Sequence, residues 1–290
     1  MASILDMVGN TPMAEITRLH TNRAVKIYAK LEGNNPGGSV KDRPALNMIK
    51  SALERGDIKP GTKLIEATSG NTGIALAMIA SLFDLEIELV MPANSTRERT
   101  LTMEAYGAKV VLLESIEVCR DYAENKAATG NYFLLNQFAN PDNYLAHYKS
   151  TGPEIWNDTN GAITHFVSAM GTTGSIMGVS MFLKEKNPDI QIIGCQPTED
   201  ASIPGIRRWP PAYLPRIFDP KRVDRVMDIS ENNAVEMTRK LAKVEGIFAG
   251  MSSGGAASAA MRLAQELTTG TIVFIVCDRG DRYLSSNLFG

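Results

Sequence analysis

Strand-like and helix-like segments alternate along nearly the whole chain, and this alternation limits the possible folds more than any other feature. Short runs rich in Val, Ile and Leu predict strands at residues 25–31, 63–67, 87–91, 109–113, 132–135, 164–169, 191–196, 223–229 and 271–277. Segments with apolar residues at helical spacing predict helices at residues 40–55, 72–83, 95–106, 119–129, 144–156, 175–186, 234–245 and 255–266. Strands joined through helices favour parallel sheets with right-handed crossovers, so the predicted fold class is α/β.

The alternating segments form two blocks that meet near residue 145. We expect one α/β domain of residues 36–145 and a second of residues 1–35 and 146–290, each with three layers and a mostly parallel sheet. A chain of 290 residues is long enough for cores of this size. With 44% hydrophobic residues and a net charge of -2, the chain shows no bias towards nucleic acid or membrane surfaces.

The cysteines and the start of the chain indicate a cellular compartment. Cys119, Cys195 and Cys277 lie far apart and form no C-x-x-C pair, which argues against a disulfide framework or a zinc ribbon. Residues 1–10 lack the basic region and apolar run of a signal peptide. Apolar stretches such as residues 272–277 have the length of a strand, far short of a membrane span. We therefore expect a cytoplasmic protein.

Two Gly-rich loops lie where open α/β sheets bind ligands, between the carboxyl end of a strand and the next helix. They are TSGNTG at residues 68–73 and GTTGS at residues 171–175. Hydroxyls, backbone N–H groups and a helix N-terminus offer donors to an anion, a carboxylate at the first loop and a phosphate at the second. GTTGS has neither the ending of a Walker loop nor the dinucleotide spacing. Each loop also suits a capped structural turn, so neither identifies a ligand by itself.

A third loop, GMSSG at residues 250–254, matches the G-x-S-x-G pattern of a hydrolase nucleophile. A serine esterase of that class needs a histidine after the serine. The histidines of the chain, His20, His147 and His165, all precede Ser252. This order argues against an esterase. No two of the histidines have metal-ligand spacing, so we interpret all three as packing or surface residues.

A Gly-rich turn at residues 34–39 delivers Lys41 to the helix predicted at 40–55, for which Ser39 is the expected N-cap. A lysine beside charged neighbours such as Asp42 is most simply a solvated surface residue. A neutral amine there would instead suit Schiff-base formation and proton abstraction. The residues around Lys41 leave both interpretations open.

Together these segments resemble the fold-type II pyridoxal-phosphate enzymes over nearly the whole chain. The resemblance rests on GNTP at residues 9–12, the turn around Lys41, and the loops at 68–73, 171–175 and 252–254. Two further segments, SIPGIRRWP at 202–210 and CDRGDRYLS at 277–285, are similar to the B branch of the cysteine synthases, or O-acetylserine sulfhydrylases. The resemblance implies a tryptophan synthase β-like fold, pyridoxal 5′-phosphate as the cofactor and a homodimer.

The resemblance also implies roles for individual residues. Lys41 would be the catalytic residue and hold the cofactor as a Schiff base, Asn71 would bind the ring hydroxyl, and Ser252 would face the ring nitrogen. The residues implied to hold the cofactor phosphate are Gly171, Thr172, Thr173, Gly174 and Ser175. The residues implied to bind the substrate carboxylate are Thr68, Ser69, Gly70, Thr72 and Gln137.

The implied reaction is a β-replacement. Lys41 would remove the α-proton of O-acetyl-L-serine, loss of acetate would leave an α-aminoacrylate, and addition of sulfide would give L-cysteine. Thiosulfate would give S-sulfocysteine, with Arg207 and Arg208 supplying positive charge for the dianion and Cys277 near the same site. An exposed loop pair and a buried filler residue are equally good interpretations of these two arginines and this cysteine.

Two alternatives stay open. Serine or threonine dehydratases and cystathionine β-synthases share these loops, but they release a keto acid or use a thiol as the acceptor. A non-catalytic protein that binds a phosphorylated ligand would need the loop at 171–175 but not Lys41.

Overall fold

The computed structural model describes residues 3–68 and 70–289, so Ser69, which was predicted to bind substrate, lies outside the described residues. Strands in chain order are β1 (Met13–Glu15), β2 (Val25–Leu31), β3 (Lys63–Ala67), β4 (Glu86–Pro92), β5 (Lys109–Leu113), β6 (Phe133–Leu134), β7 (His165–Ala169), β8 (Gln191–Pro197), β9 (Arg225–Ile229) and β10 (Gly270–Val276). Helices in chain order are α1 (Asp42–Arg55), α2 (Asn71–Ser81), α3 (Arg97–Ala105), α4 (Ile116–Ala127), α5 (Pro141–Lys149), α6 (Thr151–Asp158), α7 (Gly174–Lys186), α8 (Glu231–Glu245) and α9 (Met251–Glu266).

The strands form two sheets. The larger has the order β1-β2-β10-β7-β8-β9, and the smaller has the order β5-β4-β3-β6. Strand β1 is antiparallel to β2, and the other pairs are parallel. The consecutive parallel neighbours β3 and β4, β4 and β5, and β7 and β8 are joined through helices α2, α3 and α7, the usual crossover for parallel pairing. The predicted α/β class with mostly parallel sheets is confirmed.

Helices α2 and α9 lie deep in the interior, and their sequences explain why. Residues 72–80 of α2 are all buried, and the nearly continuous apolar run of this helix leaves no polar face for solvent. Helix α9 buries thirteen residues, most of them Ala, Gly or Ser, which let neighbouring elements approach closely. Helix α1 is amphipathic and buries Met48 and Ile49 while Arg55 stays exposed.

Local hydrogen bonds and backbone angles explain where the predicted helices differ from the observed ones. The helix predicted at 144–156 is two helices, α5 and α6, because the backbone turns at Ser150 (φ -131°, ψ -67°). Helix α4 starts three residues earlier than expected, since Ser115 caps it by accepting from Val118 N–H at 3.3 Å. The segment at 250–254 is the first turn of α9 and its N-cap rather than a loop.

The start of α1 also differs from the prediction. The helix begins at Asp42, and Lys41 rather than Ser39 occupies the N-cap position. Ser39 instead forms an isolated antiparallel bridge with Asp278. The residue predicted as a cap therefore anchors the chain to the segment after β10.

The two sheets divide the described residues much as the predicted domains do. Residues 25–31 join the larger sheet beside residues 270–276, and β3 to β6 form the smaller sheet. The domain bounds at residues 36 and 145 stay a prediction. Across residues 3–68 and 70–289, no helix is both long enough and apolar enough to span a bilayer.

Candidate active site

A cavity collects most of the predicted site residues. Its wall is built from residues that follow strands of both sheets, as expected for parallel sheets whose carboxyl ends face a shared space. The predicted residues that line it are Lys41, Asn71, Thr72, Gln137, Gly171, Thr172, Thr173, Gly174, Ser175, Arg207, Ser252 and Cys277. The fold thus places Lys41 beside the loop at 171–175, although they are far apart in sequence.

Lys41 reaches the cavity from the turn before α1, and this turn is fixed to the end of β10. Val40 N–H donates to the Cys277 carbonyl at 2.7 Å, and the adjacent Ser39 pairs with Asp278. Lys41 N–H itself donates to Ser39 Oγ at 3.2 Å. The backbone around the lysine is therefore held by the larger sheet even though α1 belongs with the smaller one.

The side chains of Asp42 and Arg282 both hydrogen-bond to Gly37 in the glycine turn. Asp42 Oδ2 accepts from Gly37 N–H at 2.5 Å, and Arg282 Nη2 donates to the Gly37 carbonyl. Burial raises the pKa of Asp42 to about 7, although the Gly37 N–H and the nearby guanidinium of Arg282 oppose the rise. The turn that carries Lys41 is therefore an ordered part of the site.

The loop at 171–175 has the shape and the donors of an anion cradle. Thr173 adopts a left-handed conformation (φ 71°), and its buried Oγ1 has no hydrogen-bond partner within the described residues. A Cβ at Gly174 would collide with the side chain of Asn143. Helix α7 begins at Gly174, so its unpaired N–H groups add to the positive end of the cradle. These features fit a bound phosphate.

His147 supports this cradle, a role that its position in the sequence did not indicate. Its Nδ1 lies 2.9 Å from Thr151 Oγ1, and its Nε2 lies 3.2 Å from Ser175 Oγ. Burial lowers the pKa of His147 well below its usual range, so the ring is neutral and pairs with both hydroxyls. The spacing of His147 and Thr151 on neighbouring turns gave no hint of Ser175, which only the fold brings close.

Thr68 stabilises the loop at 68–73 through hydrogen bonds of its side chain and does not line the cavity. Its buried Oγ1 accepts from the N–H groups of Gly70 and Gly73, each at 3.1 Å. Gly70 has φ 145°, a conformation that side chains rarely adopt. Among the residues predicted to bind the substrate carboxylate, Thr72 and Gln137 line the cavity, whereas Thr68 and Gly70 do not.

Gln137 is held in place by three contacts on β3 and α2. Its Nε2 donates to the Ala67 carbonyl at 2.7 Å, and its Oε1 accepts from Thr72 Oγ1 at 2.9 Å. Its backbone N–H donates to Glu66 Oε1 at 3.3 Å. Burial raises the pKa of Glu66 to about 8 despite this hydrogen bond, so the acid is largely protonated at neutral pH.

Replacing Glu66 with Gln should remove a pH dependence of stability. The unfolded chain loses this proton near the ordinary pKa of 4.5, whereas the folded chain keeps it to about pH 8. The folded state therefore binds more protons between these values, and its stability falls as the pH rises. The free energy of unfolding of Glu66→Gln, relative to that of the native chain, should grow between pH 5 and 9 by a few kcal/mol, on the order expected for such a shift. Urea titrations across that range that give a constant difference would contradict the assignment.

Ser252 and Cys277 also line the cavity. Ser252 lies in the first turn of α9 and is buried, and Cys277 follows β10 directly. Cys277 N–H donates to Ser253 Oγ at 2.9 Å. Burial raises the pKa of the Cys277 thiol to about 11, so the group is a neutral thiol at physiological pH.

The two predicted arginines point in different directions. Arg207 lines the cavity, and its backbone N–H donates to the Met170 carbonyl at 2.9 Å. Arg208 turns away: its Nη2 donates to Asp228 Oδ1 at 2.7 Å and its Nε to the Pro197 carbonyl at 3.0 Å. The structure thus brings one of the pair, Arg207, into the cavity and leaves Arg208 at the edge of the larger sheet.

The irregular segment that carries Arg207 is attached to both sheets by aromatic and cationic contacts. Trp209 Nε1 donates to the Gly171 carbonyl at 2.7 Å, which ties the segment to the cradle. Arg120 of α4 lies 4.2 Å from the Phe138 ring centre and donates to the Tyr213 carbonyl at 2.7 Å. A cation–π contact is stronger when the guanidinium is shielded from water. Arg120 therefore holds the irregular segment against Phe138, which lines the cavity. No local motif in the sequence indicated this role.

Known proteins share this architecture and sequence. A family model described as pyridoxal-phosphate dependent enzyme matches residues 4–278. Cysteine synthase B of Pseudomonas aeruginosa is 57% identical over 290 residues, covering 99% of this chain and 97% of the relative. Cysteine synthase B of Escherichia coli is 53% identical over 293 residues, covering 100% of this chain and 97% of the relative.

Crystal structures agree with this relationship. Cysteine synthase from Entamoeba histolytica superposes with a TM-score of 0.92 at 38% identity, covering 100% of this chain and 90% of that one. The O-acetylserine dependent cystathionine beta-synthase from Helicobacter pylori superposes with a TM-score of 0.93 at 34% identity, covering 100% and 99%. Both the extent and the identity confirm the resemblance inferred from the loops. The chain belongs to the family of pyridoxal-phosphate dependent enzymes of fold-type II.

Proposed function

We propose that this chain forms L-cysteine from O-acetyl-L-serine and sulfide with pyridoxal 5′-phosphate as its cofactor. The observation that carries the proposal is the placement of the Lys41 amine and an anion cradle at 171–175 in the wall of one cavity. The cysteine synthases that resemble the chain over nearly its whole length support the choice of reaction.

The cofactor fits the residues that line the cavity. Its phosphate would take the donors of the 171–175 loop, where the buried Thr173 hydroxyl has no partner within the described residues. Asn71 would donate to the ring hydroxyl oxygen, Ser252 would face the ring nitrogen, and Lys41 would bind the aldehyde carbon. When bound, the cofactor supplies an electron sink for cleavage next to an amino-acid α-carbon. A serine rather than an acid beside the ring nitrogen tempers that sink and suits elimination at the β-carbon.

The residues of the chain would bind the substrate and move one proton. Thr72 and Gln137 would hold the substrate carboxylate, and the α2 N-terminus favours its negative charge. Once the substrate amine has displaced it from the aldehyde carbon, Lys41 Nζ would be a free amine and would take the proton from the α-carbon as acetate leaves the β-carbon. The same nitrogen would return the proton to the α-carbon after the sulfur atom bonds to the β-carbon. The cavity would limit the access of water, which would otherwise compete with sulfide for the β-carbon.

Product analysis tests the proposal directly. The purified protein, loaded with pyridoxal 5′-phosphate, is given O-acetylserine with and without sulfide, and cysteine, acetate and pyruvate are quantified. Cysteine equal to acetate in the presence of sulfide is the expected result. Pyruvate as the main product under both conditions would overturn it in favour of a dehydratase. Borohydride reduction followed by peptide mass spectrometry separates a third outcome, because an unlabelled Lys41 indicates a binding protein.

We also propose that Arg207 favours a dianionic sulfur donor such as thiosulfate, with S-sulfocysteine as the product. A guanidinium in the wall of a partly desolvated cavity attracts a dianion more strongly than the monoanion of sulfide. Arg207→Gln should raise KM for thiosulfate by about tenfold relative to KM for sulfide, as for loss of one charged hydrogen bond. Arg208→Gln is the matched control, because that side chain faces Asp228. Equal effects of the two substitutions on this ratio would contradict the role of Arg207.

The location and assembly of the chain are also proposals. The free cysteines Cys119, Cys195 and Cys277 fit a reducing cytoplasm, and the resemblance to the fold-type II enzymes is the ground for proposing a homodimer that acts on small-molecule substrates. We further propose the domain division at residues 36 and 145, which the separate sheets support. Light scattering of the purified protein at several concentrations tests the dimer.

A further inference from the structure

Asn71 is held at both ends of its side-chain amide by one segment that follows β10. Asp278 Oδ2 accepts from Asn71 Nδ2 at 2.7 Å, and Arg282 Nη1 donates to Asn71 Oδ1 at 2.5 Å. Tyr283 OH donates to the same Asp278 oxygen at 2.7 Å. Asn71 starts a helix of the smaller sheet, whereas its partners extend from the larger one. The Asn71 amide therefore links the element that starts α2 to the segment that follows β10 by hydrogen bonds.

The chemistry of these partners fixes which way the amide points. A carboxylate accepts only and a guanidinium donates only. A flipped Asn71 would place its oxygen against Asp278 and its NH2 group against Arg282, losing both hydrogen bonds. Burial and the neighbouring Asp278 raise the pKa of Tyr283, so its phenol keeps the proton that it donates. Asp278 and Tyr283 are 1% and 3% exposed, which limits competition from water.

The amide orientation matters because Asn71 also lines the cavity. An amide nitrogen carries two hydrogens, and Asp278 takes one of them. The second remains for an acceptor inside the cavity, while the amide oxygen is turned to Arg282. Without these partners, the two orientations of the amide would differ little in energy, and an oxygen would often face a cofactor oxygen.

We propose that Asp278 and Arg282 are positioning residues that orient Asn71 so that its free N–H donates to the ring hydroxyl oxygen of the cofactor. The inference rests on the proposed function only for the identity of that cofactor. Arg282 acts on a second element as well, since it also donates to the carbonyl of Gly37 in the turn before Lys41. One guanidinium therefore couples the amide of Asn71 to the turn that presents the catalytic lysine.

The test compares two identical substitutions on the same segment. Asp278→Asn removes the charge beside Asn71, whereas Asp281→Asn changes an exposed residue that pairs with Arg279 at 2.8 Å. We expect Asp278→Asn to shift the visible absorbance maximum of the bound cofactor and to raise the Kd for pyridoxal 5′-phosphate by about tenfold or more, as for loss of a charged hydrogen bond. Asp281→Asn should leave both values as in the native chain. An unchanged spectrum and Kd in Asp278→Asn would overturn the proposal.

A double-mutant cycle separates positioning from a general structural role. If Asp278 acts through Asn71, adding Asp278→Asn to Asn71→Ala should change the spectrum and the Kd no further. Additive changes would overturn the proposal. Arg282→Lys provides a second variant where Asp278→Asn folds poorly, because lysine keeps the charge but cannot reach Asn71 and Gly37 together. It should shift the same absorbance maximum, and an unchanged maximum would count against the role of Arg282.

Product analysis of the native chain keeps the two proposals apart. A native chain that makes no cysteine, while Asp278→Asn still alters the cofactor spectrum and Kd, refutes the proposed reaction and supports the positioning role. Normal cysteine synthesis by the native chain, with no effect of Asp278→Asn on the spectrum or the Kd, supports the proposed reaction and refutes the positioning role.

Discussion

Replacing Lys41 with alanine should lower kcat/KM for cysteine formation by about a thousandfold or more, since in the proposed reaction one amine would both bind the cofactor and move the α-proton. The structure places this amine in the wall of the same cavity as the 171–175 loop. Phosphate binding at the loop does not need the lysine, so the variant should still take up pyridoxal 5′-phosphate. Its bound cofactor should lose the absorbance band that depends on the bond to lysine.

Lys50→Ala is the control for this substitution, because Lys50 is an exposed residue on the same helix, α1. Steady-state kinetics of both variants, with borohydride labelling of the cofactor-loaded protein, checks the expectation. Lys50→Ala should retain native kinetics and a labelled Lys41 peptide. Activity of Lys41→Ala within about tenfold of native would show that another base does the work, and the assignment would be wrong.

Replacing Arg43 with methionine should reduce the free energy of unfolding by about 3–5 kcal/mol, the range measured when one partner of a buried ion pair is removed. Arg43 Nε lies 2.7 Å from Glu32 Oε2, and its Nη1 lies 2.6 Å from Glu154 Oε1. Glu32 is 0% exposed. The variant leaves this carboxylate buried without its main cation. The loss should extend to cofactor affinity, since Arg43 is in the first turn of the helix that follows Lys41.

Urea unfolding monitored by tryptophan fluorescence measures this effect. Lys50→Met on the same helix is the control, because Lys50 is exposed and a surface substitution of this kind changes the free energy of unfolding by about 0.5 kcal/mol or less. The double variant Glu32→Gln with Arg43→Met should recover part of the loss, since neutralising the orphaned carboxylate removes the cost of its burial. A loss under about 1 kcal/mol in Arg43→Met would show that water reaches Glu32, contrary to the packing described.

Strands were predicted from the sequence more accurately than helix ends. The strands at 25–31, 63–67 and 109–113 match the observed bounds, because short runs rich in apolar and β-branched residues end where Gly, Ser, Thr or charged residues begin. Helix ends depend on single hydrogen bonds and backbone angles. The prediction therefore merged α5 and α6 across Ser150, whose backbone conformation has no clear signature in the local sequence.

The candidate site was also predicted only in part: its loops could be recognised in the sequence, but its long-range contacts could not. Loops that combine glycines, hydroxyls and a helix start are visible in a sequence, and the structure places Lys41, Asn71 and the 171–175 loop in one cavity. The contacts of His147 and Asp278 were not visible, because each pairs with residues distant in sequence. Adjacent residues such as Arg207 and Arg208 look equivalent in a sequence, yet the backbone sends their side chains in different directions.

The position of β2 has a consequence for how the chain is made. This strand lies between β1 and β10 in the larger sheet, and its parallel partner is the last strand of the chain. During synthesis, residues 25–31 emerge long before residues 270–276. The edge of β2 that pairs with β10 therefore stays unpaired, while the strands of the smaller sheet have all emerged soon after residue 134. The interval between these events is when the nascent chain is most exposed to aggregation, and a chaperone that covers its N-terminal segment would act then.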